Sequence, residues 1–197
     1  MLSILEENGK KQTKLFYKMR ILIVAVARSG STVLTHWVGK ELGYPIYSEP
    51  NRMQNTDGID GSRLVVKLVW NDIKREGIQI NQIDWDKIIR LSRRDVRESG
   101  ESFARAIERN EWKDQYAITH NWISRNESTI RHWQTVLENN KIEMLSQNWK
   151  GICVEYESIY ENKTDIERIC EYIGITNPKH LDILDNKNRY RKPYKLI

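Results

Sequence analysis

The sequence has few cysteines and prolines and no long hydrophobic run. Two cysteines in 197 residues, Cys153 and Cys170, are too few for a disulfide framework or a four-cysteine zinc site. The longest apolar run, residues 21–27, is far shorter than the roughly 20 residues of a membrane-spanning helix. The first residues are acidic, unlike a secretory signal. We therefore expect a cytoplasmic protein that does not enter a membrane.

The net positive charge of the sequence comes from the two ends of the chain. The net charge is +5, but residues 1–20 carry +3 and residues 187–197 carry +5, so the intervening residues sum to −3. This distribution argues against a surface for duplex nucleic acid and is compatible with a small anionic ligand. We predict a basic extension at residues 1–19 and a single domain at residues 20–197; the oligomeric state stays open.

Apolar, β-branched runs alternate with amphipathic stretches along the chain. The predicted strands are residues 20–27, 64–70, 87–92 and 151–156. The predicted helices are residues 33–42, 96–109, 116–148 and 163–173. We expect the third helix to break near Asn139 and Asn140. Strands that alternate with helices predict a three-layer α/β/α domain with a central parallel sheet. Ligands of such sheets bind beyond the carboxyl ends of the strands.

The turn Arg28-Ser-Gly-Ser-Thr joins the first predicted strand to a helix N-terminus, where backbone amides and the helix dipole favour an anion. The pattern G-x-x-x-x-G-K-[ST] of nucleotide triphosphatases is partly present. Gly30 and Thr32 match it, whereas the first glycine is missing and Ser31 replaces the phosphate-binding lysine. We predict phosphate binding without the usual triphosphate and Mg²⁺ chemistry. The alternative is a plain turn with Ser31 or Thr32 as the helix N-cap.

An arginine and a serine follow a later strand at a spacing that could hold one phosphate. Arg94 stands at the carboxyl end of the predicted strand 87–92, and Ser102 lies eight residues further on, in the next helix. The guanidinium of Arg94 would supply a permanently charged, bidentate fork. The alternative is a solvated helix face of mixed charge.

These two motifs, in this order, resemble the nucleotide-binding signatures of sulfotransferases that use 3′-phosphoadenylyl sulfate (PAPS) as the donor. Residues 66–70 and 93–112 are similar, more narrowly, to the bacterial trehalose-type sulfotransferases. The resemblance is spread over residues 20–112, with weaker matches at 154–157 and 173–175. It implies a P-loop-containing nucleoside triphosphate hydrolase-like (sulfotransferase) fold.

The resemblance also implies a binding role for particular residues. The residues that would hold the 5′-phosphosulfate are Arg28, Ser29, Gly30, Ser31 and Thr32. Arg94 and Ser102 would bind the 3′-phosphate, the group that distinguishes the donor from ATP. The chain departs from the family pattern at Ala27, where a proline is usual. The segment between Arg94 and Ser102 is also more acidic than the family pattern, because it contains Glu98 and Glu101.

Three residues are candidates for catalysis. Sulfuryl transfer has a charge-rich, in-line transition state, so cations that are positioned in advance dominate its catalysis. We assign Arg28 to the binding of the transferring sulfonate. Lys67 interrupts an apolar strand, and we predict that it supplies a second stabilising charge. The alternative is that Lys67 is a strand-end lysine in water. An acceptor hydroxyl needs a base. Many sulfotransferases carry a histidine at the position of Val69. The trehalose-type enzymes instead use a glutamate shortly after the first helix, and the resemblance implies that Glu49 has this role. The alternative is a surface carboxylate.

The expected reaction moves a sulfuryl group from PAPS to a hydroxyl of a carbohydrate or other small molecule. Adenosine 3′,5′-bisphosphate would be the product, and no metal would be required. One alternative is a P-loop small-molecule kinase, for which Asp72 is the candidate Mg²⁺ ligand, and another is a non-catalytic nucleotide-binding module. The basic run at residues 187–195 would close over the 3′-phosphate or form a solvated tail.

Overall fold

The computed structural model describes residues 4–7, 10–13, 19–48, 63–108 and 127–185. The strands are β1 (Ile4–Glu7), β2 (Lys10–Thr13), β3 (Met19–Ala25), β4 (Ile46–Ser48), β5 (Arg63–Val69), β6 (Lys87–Ser92) and β7 (Ile152–Glu155). The helices are α1 (Ser31–Leu42), α2 (Trp70–Glu76), α3 (Val96–Glu108), α4 (Glu127–Ser146), α5 (Tyr156–Tyr160), α6 (Thr164–Ile173) and α7 (Asp182–Asp185), with a short 3-10 helix at Ile80–Gln82. Among these helices none is long and apolar enough to cross a membrane.

Five parallel strands form the central sheet, in the order β4-β5-β3-β6-β7. The N-terminal strands β1 and β2 form a separate antiparallel pair. In the sheet, β3 lies in the middle and is hydrogen-bonded to β5 on one side and β6 on the other. The central position explains why residues 21–25 are all apolar, because a strand inside a parallel sheet has no face in water.

Helices cover both faces of the sheet. Ile21 and Ile23 belong to a core shared with α1, α6 and α7, whereas Leu22 and Val24 belong to a second core shared with α2, α3 and α4. Successive strand residues point to opposite faces, so the alternation along β3 is what divides the two cores. The predicted three-layer α/β/α fold with a central parallel sheet is confirmed.

For this strand order, a ligand crevice is expected at the carboxyl ends of β3 and β6. The chain leaves β3 through α1 toward β4 at one edge, and leaves β6 toward β7 at the other edge. Ligands of open α/β sheets bind where neighbouring connections diverge in this way. The loops that follow β3 and β6 therefore form the place to search for a site.

Most elements agree with the sequence prediction, and α4 supplies a correction. The four predicted strands correspond to β3, β5, β6 and β7, and Gly43 ends α1 in the left-handed conformation, as expected. The expected break at Asn139 and Asn140 is wrong, because α4 continues through both residues and Asn140 is only 3% exposed. The predicted helical residues 116–126 lie outside the described residues. Both cysteines are free thiols, Cys170 buried and Cys153 partly buried.

Candidate functional site

The loop between β3 and α1 turns sharply through two left-handed residues. Arg28 has φ 66° and Gly30 has φ 78°. A residue other than glycine is uncommon in this region, and such positions occur at functional sites where the surroundings hold the backbone. Ser29, between them, is fully buried, and its hydroxyl donates to the Val26 carbonyl at 2.7 Å. Buried packing at Ser29 thus fixes the centre of the loop.

The N-terminus of α1 is presented to the crevice without a capping side chain. The N-cap is Gly30, rather than Ser31 or Thr32. The Gly30 carbonyl accepts the amides of Val33 and Leu34 at 3.1 and 3.3 Å, while Ser31 and Thr32 occupy the first two helical positions, whose amides have no partner within a helix. No acidic residue lies in this first turn. The helix end is therefore suited to an anion.

Two tyrosines of α5 cover the loop. The Tyr160 hydroxyl donates to the Gly30 carbonyl at 2.9 Å, and the ring of Tyr156 lies beside that of Tyr160, with centroids 4.7 Å apart. A Cβ atom on Gly30 would lie 2.8 Å from Tyr156 Cδ2 and 2.9 Å from Tyr160 Cε2. Glycine is needed here both for its positive φ and for the space that the tyrosine rings occupy.

Lys67 reaches the loop from the neighbouring strand. It lies in β5 in register with Ile23 and is only 8% exposed, so its side chain does not extend into water. The Lys67 ammonium donates to the Thr32 hydroxyl at 3.2 Å. A lysine of another strand thus contacts the loop, which has no lysine of its own.

The candidate base Glu49 lies outside the described residues. The residue before it, Ser48, ends β4 in register with Lys67. The last described residue before Glu49 therefore lies beside Lys67.

Ser102 contacts Arg28 rather than Arg94. The Arg28 Nε atom donates to the Ser102 hydroxyl at 2.9 Å. Arg94 instead directs Nε and Nη2 to one oxygen of Glu155, at 3.1 and 2.7 Å. The hydrogen bond and charge of Glu155 raise the pKa of Arg94 above its ordinary value. The structure brings Arg28 and Ser102 together and does not bring Arg94 and Ser102 together; the joint role in 3′-phosphate binding stays a prediction.

Glu157 organises the turn after β6. Its carboxylate accepts the amide of Arg94 at 2.9 and 3.1 Å and the amide of Asp95 at 3.0 Å. Burial acts to raise the pKa of this carboxyl, but the amide hydrogen bonds and the charge of Arg93 outweigh burial, so that the pKa is lowered. Glu157 is therefore a buried anion that holds the backbone of the turn.

Arg93 joins the turn after β6 to the loop after β3. Its guanidinium carbon lies 4.3 Å from the centre of the Tyr156 ring, and Nη1 lies 3.5 Å from the Arg28 carbonyl. The same side chain forms an ion pair with Glu98. Sequence reasoning missed Arg93 and both tyrosines of α5; the pair of arginines after β6 was the signal that could have indicated Arg93.

The acidic residues that depart from the family pattern have cationic partners. Glu98 pairs with Arg93, and Glu101 pairs with Arg97 at 3.1 Å. Neither carboxylate therefore presents an uncompensated charge to the site. Within the described ranges, no group of three or more histidine, cysteine or carboxylate side chains could hold a metal ion.

Comparisons with known proteins give distant structural similarities. No family model matches the chain, and no curated protein matches it. A sulfotransferase domain from the curacin biosynthetic pathway is 14% identical and has a TM-score of 0.47, with 82% of this chain and 75% of that chain covered. A mouse sulfotransferase complexed with PAP is 12% identical, with a TM-score of 0.47 and coverages of 92% and 73%. A deoxyadenosine kinase from M. mycoides with bound dCTP is 14% identical, with a TM-score of 0.45 and coverages of 80% and 100%.

Proposed function

We propose that this chain is a sulfotransferase that moves a sulfuryl group from PAPS to a hydroxyl of a carbohydrate or other small molecule. The observation that carries the proposal is the hydrogen bond from the ammonium of Lys67, a buried strand residue, to the hydroxyl of Thr32. In P-loop triphosphatases the serine or threonine at this position binds Mg²⁺. Here a side-chain cation already contacts that hydroxyl, which favours transfer stabilised by protein cations over transfer stabilised by a metal.

The donor fits the loop through its anionic groups. The amides at the start of α1, together with Gly30 and the buried centre of the loop at Ser29, form a cradle for a phosphosulfate. Ser31 and Thr32 add hydroxyl groups at the same helix end. Arg28 carries a charge on the loop itself. The 3′-phosphate is assigned to Arg94 and Ser102, whose elements flank the crevice between β3 and β6.

The donor supplies the sulfuryl group, and the residues of the chain supply position and charge. As the bond from sulfur to the acceptor oxygen forms, the bond from sulfur to the 5′-phosphate oxygen breaks. Arg28 and Lys67 offset the negative charge on the groups that bond to sulfur. Glu49 accepts the proton of the acceptor hydroxyl, and the leaving group departs as adenosine 3′,5′-bisphosphate.

The proposal predicts nucleotide binding that needs no metal. In calorimetric titrations with a chelator present, adenosine 3′,5′-bisphosphate should bind more tightly than ATP does with Mg²⁺. A kinase would show the reverse preference, and equal affinities would also contradict the proposal. The kinase alternative gains no support from Asp72, which pairs with Arg75 at 2.9 Å on α2.

Catalysis is tested separately from binding. Transfer of labelled sulfate from PAPS should be screened on sugars, phenols and lipids, and E49Q should abolish transfer while bisphosphate binding is retained. Binding with no transfer to any acceptor would indicate the non-catalytic nucleotide-binding module. Full turnover by E49Q would show that another group is the base.

A further inference from the structure

We infer that Glu155 is an internal counter-anion of Arg94, which the nucleotide's 3′-phosphate must displace, so that Glu155 sets how tightly 3′-phosphorylated nucleotides are held. The inference deepens the proposed function and rests on its assignment of Arg94 to the 3′-phosphate. It concerns a residue to which the family resemblance assigns no role.

The contact between Arg94 and Glu155 has the form of an arginine–anion contact. Two nitrogens of the guanidinium, Nε and Nη2, converge on a single carboxylate oxygen. Arginine uses the same fork for phosphate oxygens. Glu155 ends β7 in register with Ser92 of β6, so the pair stands at the carboxyl edge of the sheet, beside the crevice.

The position of Arg94 explains why it does not reach Ser102 in the structure. Ser102 hydrogen-bonds to Arg28, on the loop, while the fork of Arg94 is directed to β7. On the proposed assignment, a phosphate shared by Arg94 and Ser102 draws the Nε and Nη2 side of Arg94 away from Glu155. The carboxylate competes with the phosphate for the same donors, and two anions cannot share the fork without repulsion.

Exposure distinguishes a displaceable carboxylate from a structural one. The side chains of Arg94 and Glu155 are 64% and 35% exposed, and exposed ion pairs are weak enough to exchange. The side chain of Glu157, two residues along, is only 10% exposed and holds the backbone amides of the turn. Of the two carboxylates, Glu155 can move aside for a ligand while Glu157 keeps the turn in place.

A ligand without a 3′-phosphate has no group that replaces Glu155. Such a nucleotide leaves the contact between Arg94 and Glu155 intact, and its affinity should not depend on Glu155. A nucleotide with a 3′-phosphate gives up part of its binding energy to break the contact. Glu155 therefore weakens binding of the bisphosphate selectively and favours its release as a product.

The test compares E155Q with a matched charge control. Glu161 also raises the pKa of Arg94 through its charge, without hydrogen-bonding to it, so E161Q removes a nearby charge and keeps the contact. Affinities for adenosine 3′,5′-bisphosphate and adenosine 5′-phosphate should be measured by calorimetry for wild type, E155Q, E161Q, R94A and the double variant R94A/E155Q. Thermal unfolding of each variant controls for folding.

We expect E155Q to bind the bisphosphate about two- to fivefold more tightly, the range for an exposed ion pair, with slower dissociation. Adenosine 5′-phosphate affinity should not change, E161Q should resemble wild type, and E155Q should have no effect in the R94A background. Two results would refute the inference alone, provided that wild type binds the bisphosphate. In the first, E155Q changes the affinities for the bisphosphate and for adenosine 5′-phosphate alike. In the second, E155Q changes the bisphosphate affinity equally in the wild-type and R94A backgrounds. If wild type does not bind the bisphosphate, the proposed function is refuted and the inference with it.

Discussion

Replacement of Gly30 by alanine tests the geometry of the loop most directly. The residue has φ 78°, a conformation that costs an L-residue about 1–2 kcal/mol. The added methyl group would also lie within 3 Å of both the Tyr156 and Tyr160 rings, and overpacking of this kind costs about 1–3 kcal/mol. Together the two effects predict that G30A loses about 2–5 kcal/mol in the free energy of unfolding.

Gly174 provides a matched control for the backbone effect. It has the same φ of 78° at the end of α6, and a Cβ atom there would meet nothing within 4 Å. G174A should therefore lose only the backbone contribution, about 1–2 kcal/mol. The difference between the two variants measures the conflict with the tyrosine rings alone.

Urea unfolding at constant pH gives both free energies by linear extrapolation. G30A should also weaken binding of adenosine 3′,5′-bisphosphate, because the head of α1 must shift to admit the methyl group, whereas G174A should bind normally. Equal losses of stability in the two variants would refute the packing of α5 on the loop. Normal nucleotide binding by a destabilised G30A would refute the assignment of the anion to this helix end.

Two further predictions concern charged groups of the site. K67M should retain the fold but reduce the rate of sulfuryl transfer about 10²- to 10³-fold, the effect of removing one electrostatic stabiliser; an unchanged rate, measured with saturating donor, would contradict the role of Lys67. The lowered pKa of Glu157 means that its contribution to stability is present above the ordinary value of 4.5 and is lost as the pH falls through the lower, folded value. E157Q should therefore show a flatter loss of stability in acid than wild type, as followed by urea unfolding at several pH values; parallel curves would show that Glu157 is not the group responsible.

The residues near β3 were predictable because their chemistry follows from local sequence. The apolar, β-branched run at residues 21–27 is typical of a strand buried on both faces, and the polar turn after it places Gly30 near the start of the next helix. Because the strands are parallel, Lys67 in β5 and Arg94 after β6 lie near the same edge of the sheet, at the carboxyl ends of the strands. β4 was not predicted, because three residues of strand leave too short a pattern to detect.

The contacts that depend on strand order could not be predicted from spacing. Only the position of β7 beside β6 brings Glu155 to Arg94 and places Tyr160 over Gly30. The predicted binding of one phosphate by Arg94 and Ser102 took no account of Glu155, a carboxylate 61 positions from Arg94 in the chain. The break expected in α4 came from the helix propensity of asparagine, which burial of Asn140 overrides.

The hydrogen bond from Tyr160 to Gly30 joins positions that are 130 residues apart in the chain. During synthesis the loop and α1 emerge from the ribosome early, whereas α5 is made only in the last quarter of the described chain. Until then the Gly30 carbonyl lacks its tyrosine donor, and nothing from α5 presses on the loop. A polypeptide cut short before Tyr156 would contain all five strands of the sheet but would present a loop that α5 does not cover. The loop is thus covered only once the C-terminal part of the domain has been made, and under the proposed function nucleotide binding would report whether that part has docked.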